Sequence, residues 1–169
     1  YSQFVSIGLM YNHESPLRPP NYVSRRVALG VAAIKRGDAK ELQLGDLSAE
    51  RDWSDARDIV EAMWLSLQAA KPGDYILASG QQRKVEEFVA IAFRAAGLDW
   101  RQFVKTTERT NNQQQVANGL CGNPRKAEAE LGWKRQWSFD AMITDLVQAE
   151  LENRSEMERA NPLAKPAAS

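Results

Sequence analysis

The chain opens on a nearly continuous apolar stretch, Phe4-Val5-Ser6-Ile7-Gly8-Leu9-Met10-Tyr11. Stretches of this kind belong to strands buried on both faces of a parallel sheet, so residues 4–11 are expected to be one. A loop rich in proline and charge follows, Asn12 to Pro20. Val23, Val27, Val31 and Ile34 then recur at spacings of 4, 4 and 3, which predicts a helix to Arg36 with Gly37 as its stop. Glu41 to Leu44 is a short strand and Gly45 to Ser48 a turn. Ser54 is a suitable N-cap for a helix over Asp55 to Ala70, with Ile59, Val60, Met63, Trp64 and Leu67 as its inner face. Pro72-Gly73 ends it. Tyr75 to Ala78 reads as a strand, and Val85 to Ala96 as a helix with Val85, Phe88, Val89 and Ala92 inward. Trp100 to Val104 is a further strand candidate. The amide-rich stretch Thr106 to Leu120 reads as a loop. Pro124 starts a short helix to Leu131, and Ser138 caps a last one carrying Phe139, Met142, Ile143, Leu146 and Val147.

Strands alternating with helices argue for an α/β fold. Two or three good strands are too few for a complete doubly wound sheet, so the 169 residues read as a piece that begins mid-domain. Residues 161–169 have little to bury and read as a flexible tail. Composition narrows the classes. Apolar residues make up 43%, enough for a core, and 22 basic side chains balance 22 acidic ones. No global field favours nucleic acid or an anionic membrane. A single cysteine, Cys121, and a single histidine, His13, exclude a disulfide framework and a Cys/His zinc site. There is no long apolar run and no signal-peptide pattern, which fits a cytoplasmic protein. The five tryptophans are read as core or interface anchors.

Three polar clusters could carry chemistry. Asn12-His13-Glu14-Ser15-Pro16-Leu17-Arg18 follows the first strand, where open α/β sheets bind ligands. Its Asn, His and Arg could hold a phosphate or an amide. By spacing alone an ordinary polar loop is the simpler reading. Tyr22-Val23-Ser24-Arg25-Arg26 sits at a helix start. Two arginines there oppose the helix dipole unless an anion is near, or unless they face solvent or pair with carboxylates. In Gly45-Asp46-Leu47-Ser48-Ala49-Glu50-Arg51-Asp52-Trp53, Arg51 could grip a phosphate with two prongs, or be neutralised by Asp52. No Gly-x-Gly-x-x-Gly, Tyr-x-x-x-Lys or Walker loop is present, and the residues show no catalytic set of their own.

Taken together, the motifs resemble one family. Gly8 to Pro16, Tyr22 to Arg26, Leu44 to Trp53 continuing to Trp64, and Asp74 to Gly80 are similar to segments of GDP-mannose 4,6-dehydratases. Gly122-Asn123-Pro124-Arg125-Lys126-Ala127 with Leu131-Gly132-Trp133-Lys134 resembles the wider family's closing motif, with Asn123 where Asp is usual. The resemblance spans nearly all of residues 4 to 150. It implies an extended short-chain dehydrogenase/reductase: the end of an NAD(P)-binding Rossmann-type sheet (residues 4–11 one of its strands), plus a smaller α/β substrate-binding domain within residues 1–160. It further implies that the cofactor half, with its glycine-rich loop and the catalytic Thr/Ser, Glu, Tyr and Lys, lies outside this chain. The chain alone is then expected to be inactive. His13 and Arg18 would contact NADP. Asn12 would contact the diphosphate or sugar of GDP-mannose or a related nucleotide sugar. Arg26 and Arg51 would clamp the diphosphate, and Gly45 would border the guanosine. The family's reaction moves hydride from C4 of mannose to the cofactor, loses water across C5 and C6, and returns the hydride to C6. Its members are commonly dimers or tetramers.

One departure stands out. The family's Arg-Pro-x-Glu-Val is replaced here by Asn112-Gln113-Gln114-Gln115-Val116-Ala117, with Arg109 out of register. Loss of a charge-assisted bond is worth roughly 1.5–3 kcal/mol, which widens the expected donors to related sugar nucleotides. It also keeps two rivals open: a sister epimerase, reductase or dehydratase, and a non-catalytic nucleotide-sugar binding module.

Overall fold

The computed structural model describes residues 3–106 and 119–160, with 153–160 as backbone only. Strand β1 (Ile7–Met10) runs directly into β2 (Asn12–Glu14), a strand that the polar sequence had suggested was loop. Helix α1 (Val23–Arg36) follows, then β3 (Leu42–Leu44) and β4 (Glu50–Asp55). Next come α2 (Ala56–Gln68), β5 (Asp74–Leu77), β6 (Gln82–Lys84) and α3 (Val85–Ala95). A 3-10 turn at Trp100–Gln102 stands where a strand was expected, and the strand itself, β7, is Val104–Thr106. Helices α4 (Arg125–Leu131) and α5 (Phe139–Ala160) complete the described chain. The strands form three small sheets: β1 parallel to β5, β2 parallel to β4 with β6 antiparallel on its other side, and β3 parallel to β7.

The expected stripe of α1 is the one that is buried. Val27, Val31 and Ile34 face inward with Ala28 and Ala32. The helix stops at Gly37, whose φ of 82° places it in the left-handed region that glycine adopts without strain. Lys35 and Arg36 in the last turn suit the dipole. This face packs against α3 and α5, and α3 contributes Phe88, Val89, Ala92 and Phe93 to the same core. Each phenylalanine removed from water there contributes about 1.5–3 kcal/mol. A second, smaller core forms between α2, β5 and α4 from Ile59, Ala62, Tyr75, Leu77, Ala127 and Trp133.

Two expectations about burial fail, for one reason. β1 is paired on a single edge, and Phe4, Val5, Ile7, Leu9 and Met10 are between 41 and 60% exposed. On α2 the buried positions are Asp58, Ile59, Ala62 and Ser66, whereas Val60, Met63, Trp64 and Leu67 are exposed. The apolar stripe of α2 is therefore wider than the surface these residues offer it. Trp64 anchors no core here, whereas Trp53 and Trp133 are buried. The cap also differs: Ser54 lies within β4, and Asp55 accepts from the Arg57 N–H at 2.9 Å.

Buried carboxylates tie loops to α2 and to β4. Asp58 accepts the N–H groups of Gln136 and Trp137 at 2.9 and 3.2 Å, and its carbonyl accepts the Trp133 indole N–H at 2.9 Å. Asp52, fully buried, accepts from the N–H groups of Ser79 at 2.7 Å, Gly80 at 3.1 Å and Gly122 at 3.0 Å. Gly122 reaches that position because it has no side chain. A Cβ there would lie 2.2 Å from the Ala78 Cβ and 3.0 Å from the Tyr11 ring. Ala78 is fully buried and has nowhere to go. Gly122→Ala is thus expected to lower stability by about 1–3 kcal/mol, read as a downward shift of the urea midpoint; an unchanged midpoint would contradict this packing.

Candidate functional site

A cavity of about 910 Å³ opens where β1 gives way to β2. One wall is the continuous backbone from Leu9 to His13. Arg18 enters from the loop beyond β2, Arg51 from β4 and Ile76 from β5, and Gly119-Leu120 closes the far side. The parallel strands β1 and β5 run into this edge with their C-terminal ends, the side on which open α/β sheets hold ligands, while β2 and β4 start from it.

Each polar side chain is held by backbone or by a buried partner. Asn12 Nδ2 donates to the Asp52 carbonyl at 3.2 Å. His13 Nδ1 lies 2.8 Å from the Tyr11 carbonyl. A carbonyl only accepts, so Nδ1 carries the proton and Nε2 is left for a ligand. Arg18 Nη1 donates to the His13 carbonyl at 2.9 Å and to Glu14 Oε1, and its guanidinium carbon sits 3.9 Å from the centre of the Tyr22 ring. Glu14 is only 2% exposed. Its other oxygen accepts the Ser24 hydroxyl on the first turn of α1. Burial pushes the Glu14 carboxyl above its ordinary range, against the opposing pull of the Ser24 hydrogen bond and the Arg18 charge.

Arg51 is different. Its Nη1 donates to the Glu50 carbonyl at 2.6 Å, and it forms no ion pair among the described residues. Asp52, the neighbour that could have neutralised it, is occupied by three backbone amides. Among the described residues the cavity therefore presents a guanidinium fork without a carboxylate partner, beside the apolar surface of Leu9, Met10 and Leu120. Such a wall suits a ligand with an anionic group and a flat or apolar part.

Of the residues singled out from sequence, Asn12, His13, Arg18 and Arg51 are brought together. Arg26 and Gly45 are not among the lining residues. Arg26 Nη2 donates to the Gln43 carbonyl at 2.9 Å, toward β3. Arg25, its neighbour in the first turn, is paired with Glu150 of α5, which shows how a basic first turn is tolerated without a bound anion. The two-arginine convergence of positions 26 and 51 is thus not a feature of this cavity. Tyr11, Ile76, Gly119 and Leu120 were not legible as site residues, because nothing local distinguishes them. The Gln113-Gln114-Gln115 departure and Arg109 lie outside the described residues.

The model of the GDP-mannose 4,6 dehydratase family matches residues 1–146. The chain belongs to this family. Among relatives, GDP-mannose 4,6 dehydratase 2 of Arabidopsis thaliana is 41% identical over 152 residues, covering 90% of this chain and 40% of the relative. The human GDP-mannose 4,6 dehydratase is 34% identical over 180 residues, with 97% and 47% covered. The chain thus spans less than half the length of the curated relatives it matches. Among solved structures, RMD from Pseudomonas aeruginosa, complexed with NADPH, superposes with a TM-score of 0.77 at 21% identity, over 86% of this chain and 48% of that one. DesIV, the dTDP-glucose 4,6-dehydratase of Streptomyces venezuelae solved with NAD and TYD, gives 0.73 at 22%, over 89% and 45%. The fold is the α/β fold of extended short-chain dehydrogenase/reductases. Among the described residues of this GDP-mannose dehydratase family member, no helix is long and apolar enough to cross a membrane.

Proposed function

We propose that this chain is the substrate-gripping portion of an NADP-dependent GDP-mannose 4,6-dehydratase. The observation that carries the reading is the cavity at the end of β1, with Arg51 lacking a carboxylate partner among the described residues and Asn12, His13 and Arg18 around it. Arg51 binds the diphosphate, with Asn12 beside it. His13 Nε2 and the outer N–H groups of Arg18 hold the cofactor, and Leu9 and Met10 provide an apolar surface that excludes water from it. The residues fit a nicotinamide cofactor: a fixed cation, a fixed imidazole and an apolar wall meet in one cavity. When bound, NADP supplies the acceptor and donor that carry hydride from C4 to C6 of the mannose ring. The likeness to structures complexed with NADPH or NAD supports a nicotinamide, and the family membership supports GDP-mannose.

The remaining length of the relatives supplies what this portion lacks. The uncovered edge and faces of β1 receive further parallel strands, and Val60, Met63, Trp64 and Leu67 receive a neighbouring layer. Burying them stabilises the assembly, and catalytic groups carried on those strands and helices then meet the cavity at the end of β1.

The chain alone, which contains no Tyr-x-x-x-Lys, is expected to leave GDP-mannose unchanged. Joined to the upstream portion of its reading frame, or to that of the Arabidopsis relative, it is expected to convert GDP-mannose to the 4-keto-6-deoxy product. Mass spectrometry reads this as the loss of one water. A reconstituted protein that binds NADP, spares GDP-mannose and converts another sugar nucleotide would overturn the substrate.

A further inference from the structure

We propose that Glu14 is a positioning residue: its buried carboxylate fixes the Arg18 guanidinium in the cavity wall and is itself held by Ser24 of α1. The inference rests on the reading of this cavity as a cofactor site. Glu14 touches neither the cavity nor any ligand placed in it, since it is not among the lining residues. It stands behind the wall, at the end of β2, with only 2% of its surface exposed. One oxygen takes Arg18 Nη1 and the other takes the Ser24 hydroxyl, so both are committed.

A buried ion pair is a poor way to gain stability. Taking the charges out of water offsets most of their attraction, and an apolar pair of similar volume often serves the fold as well or better. What the pair does provide is direction. Arg18 is a long side chain, yet only 16% exposed, and it is pinned at three points: the Glu14 carboxylate, the His13 carbonyl and the Tyr22 ring. Both protein hydrogen bonds use Nη1, which leaves the other edge of the guanidinium to face the cavity. The planar, rigid fork keeps that edge aimed, as a lysine ammonium would not. Ser24 adds a second link. Through it the carboxylate joins the pocket wall to the first turn of α1, so Arg18 cannot swing unless Glu14 also moves away from the helix. A ligand phosphate then meets a donor already in place, and less freedom is lost on binding.

The test begins with the 169-residue chain labelled with 15N-arginine, the Arg18 Nε–H resonance being assigned from its disappearance in Arg18→Lys. In the wild-type chain this resonance is expected to be shifted from the free-arginine position and slow to exchange. Glu14→Gln keeps the side-chain shape and removes the charge. It should return the signal toward the free position and, in the reconstituted protein, weaken NADP binding about tenfold, while GDP-mannose affinity stays within twofold of wild type. Ser24→Ala covers the case in which Glu14→Gln does not fold. It keeps the ion pair but frees the carboxylate, so the Arg18 signal should broaden and NADP affinity should fall severalfold. An unchanged Arg18 resonance in whichever variant folds would overturn the proposal, and so would a lowered melting temperature with Arg18 and NADP affinity unaltered. A reconstituted wild-type protein that ignores NADP would instead sink the cofactor reading, whatever Arg18 does.

Discussion

Asp52→Ala is expected to be the most destabilising single change in this chain. The carboxylate is fully buried and accepts from the N–H groups of Ser79, Gly80 and Gly122, at 2.7 to 3.1 Å. Removing it leaves three buried amides without an acceptor. Each costs about 1–3 kcal/mol, and partial relaxation toward water brings the expected total to about 3–5 kcal/mol. A domain of this size has only about 5–15 kcal/mol to lose. The three amides belong to two separate segments: the turn between β5 and β6, with Gly80 in the left-handed region at φ 74°, and the irregular stretch before α4. Losing the carboxylate therefore detaches both from β4 together. Urea denaturation of wild type, Asp52→Asn and Asp52→Ala should give a graded series, because asparagine keeps one acceptor oxygen and adds a clashing donor. A loss under about 1 kcal/mol for alanine would show that the carboxylate is not the tie described here.

Arg51→Ala is expected to act on binding and leave folding alone. The guanidinium is half-buried and donates only to its neighbour's carbonyl, at 2.6 Å, with no ion pair among the described residues. Among the described residues its removal breaks no tie between elements, so the urea midpoint should hold. In the reconstituted protein, loss of a charge-assisted bond to the diphosphate is worth about 1.5–3 kcal/mol, a rise in the GDP-mannose dissociation constant of about 10- to 150-fold. Arg51→Lys should recover only part of this, since a point charge does not reproduce the fork. Calorimetry decides it. Equal affinities for wild type and Arg51→Ala would remove the diphosphate role. Arg26, whose Nη2 is spent on Gln43 and which does not line the cavity, offers a control: Arg26→Ala should weaken binding less than Arg51→Ala.

These two adjacent residues also show how far the chain's pattern could be read. Sequence left open whether Asp52 neutralises Arg51. The structure turns their side chains to different tasks because β4 is a strand, and successive side chains in a strand point to opposite faces. With the strand expected to end at Leu44 and the helix to start at Asp55, that alternation was not legible. β6 was hidden too, since its Gln82-Arg83-Lys84 has no apolar period and is held in the sheet by pairing with β4. β2 was concealed likewise: Asn12-His13-Glu14 is polar throughout, and it is a strand only because β4 lies beside it.

What the sequence determined by itself is local and periodic. The bounds and inner face of α1, the glycine stop after it, the inward Val85, Phe88, Val89 and Ala92 of α3, and the Ser138 start of α5 all follow from spacing and backbone preference within one element. The motifs from Gly8 to Trp133 likewise sufficed to place the chain in its family. Tertiary structure alone decided the rest, since each remaining feature depends on residues far apart in the chain. Asp52 meets Gly122 across seventy positions, and Arg18 meets Arg51 in a cavity that no local pattern describes. The burial of β1 and of the outer face of α2 is likewise a property of what packs against them. A strand can be apolar by composition, but only a neighbour makes it buried.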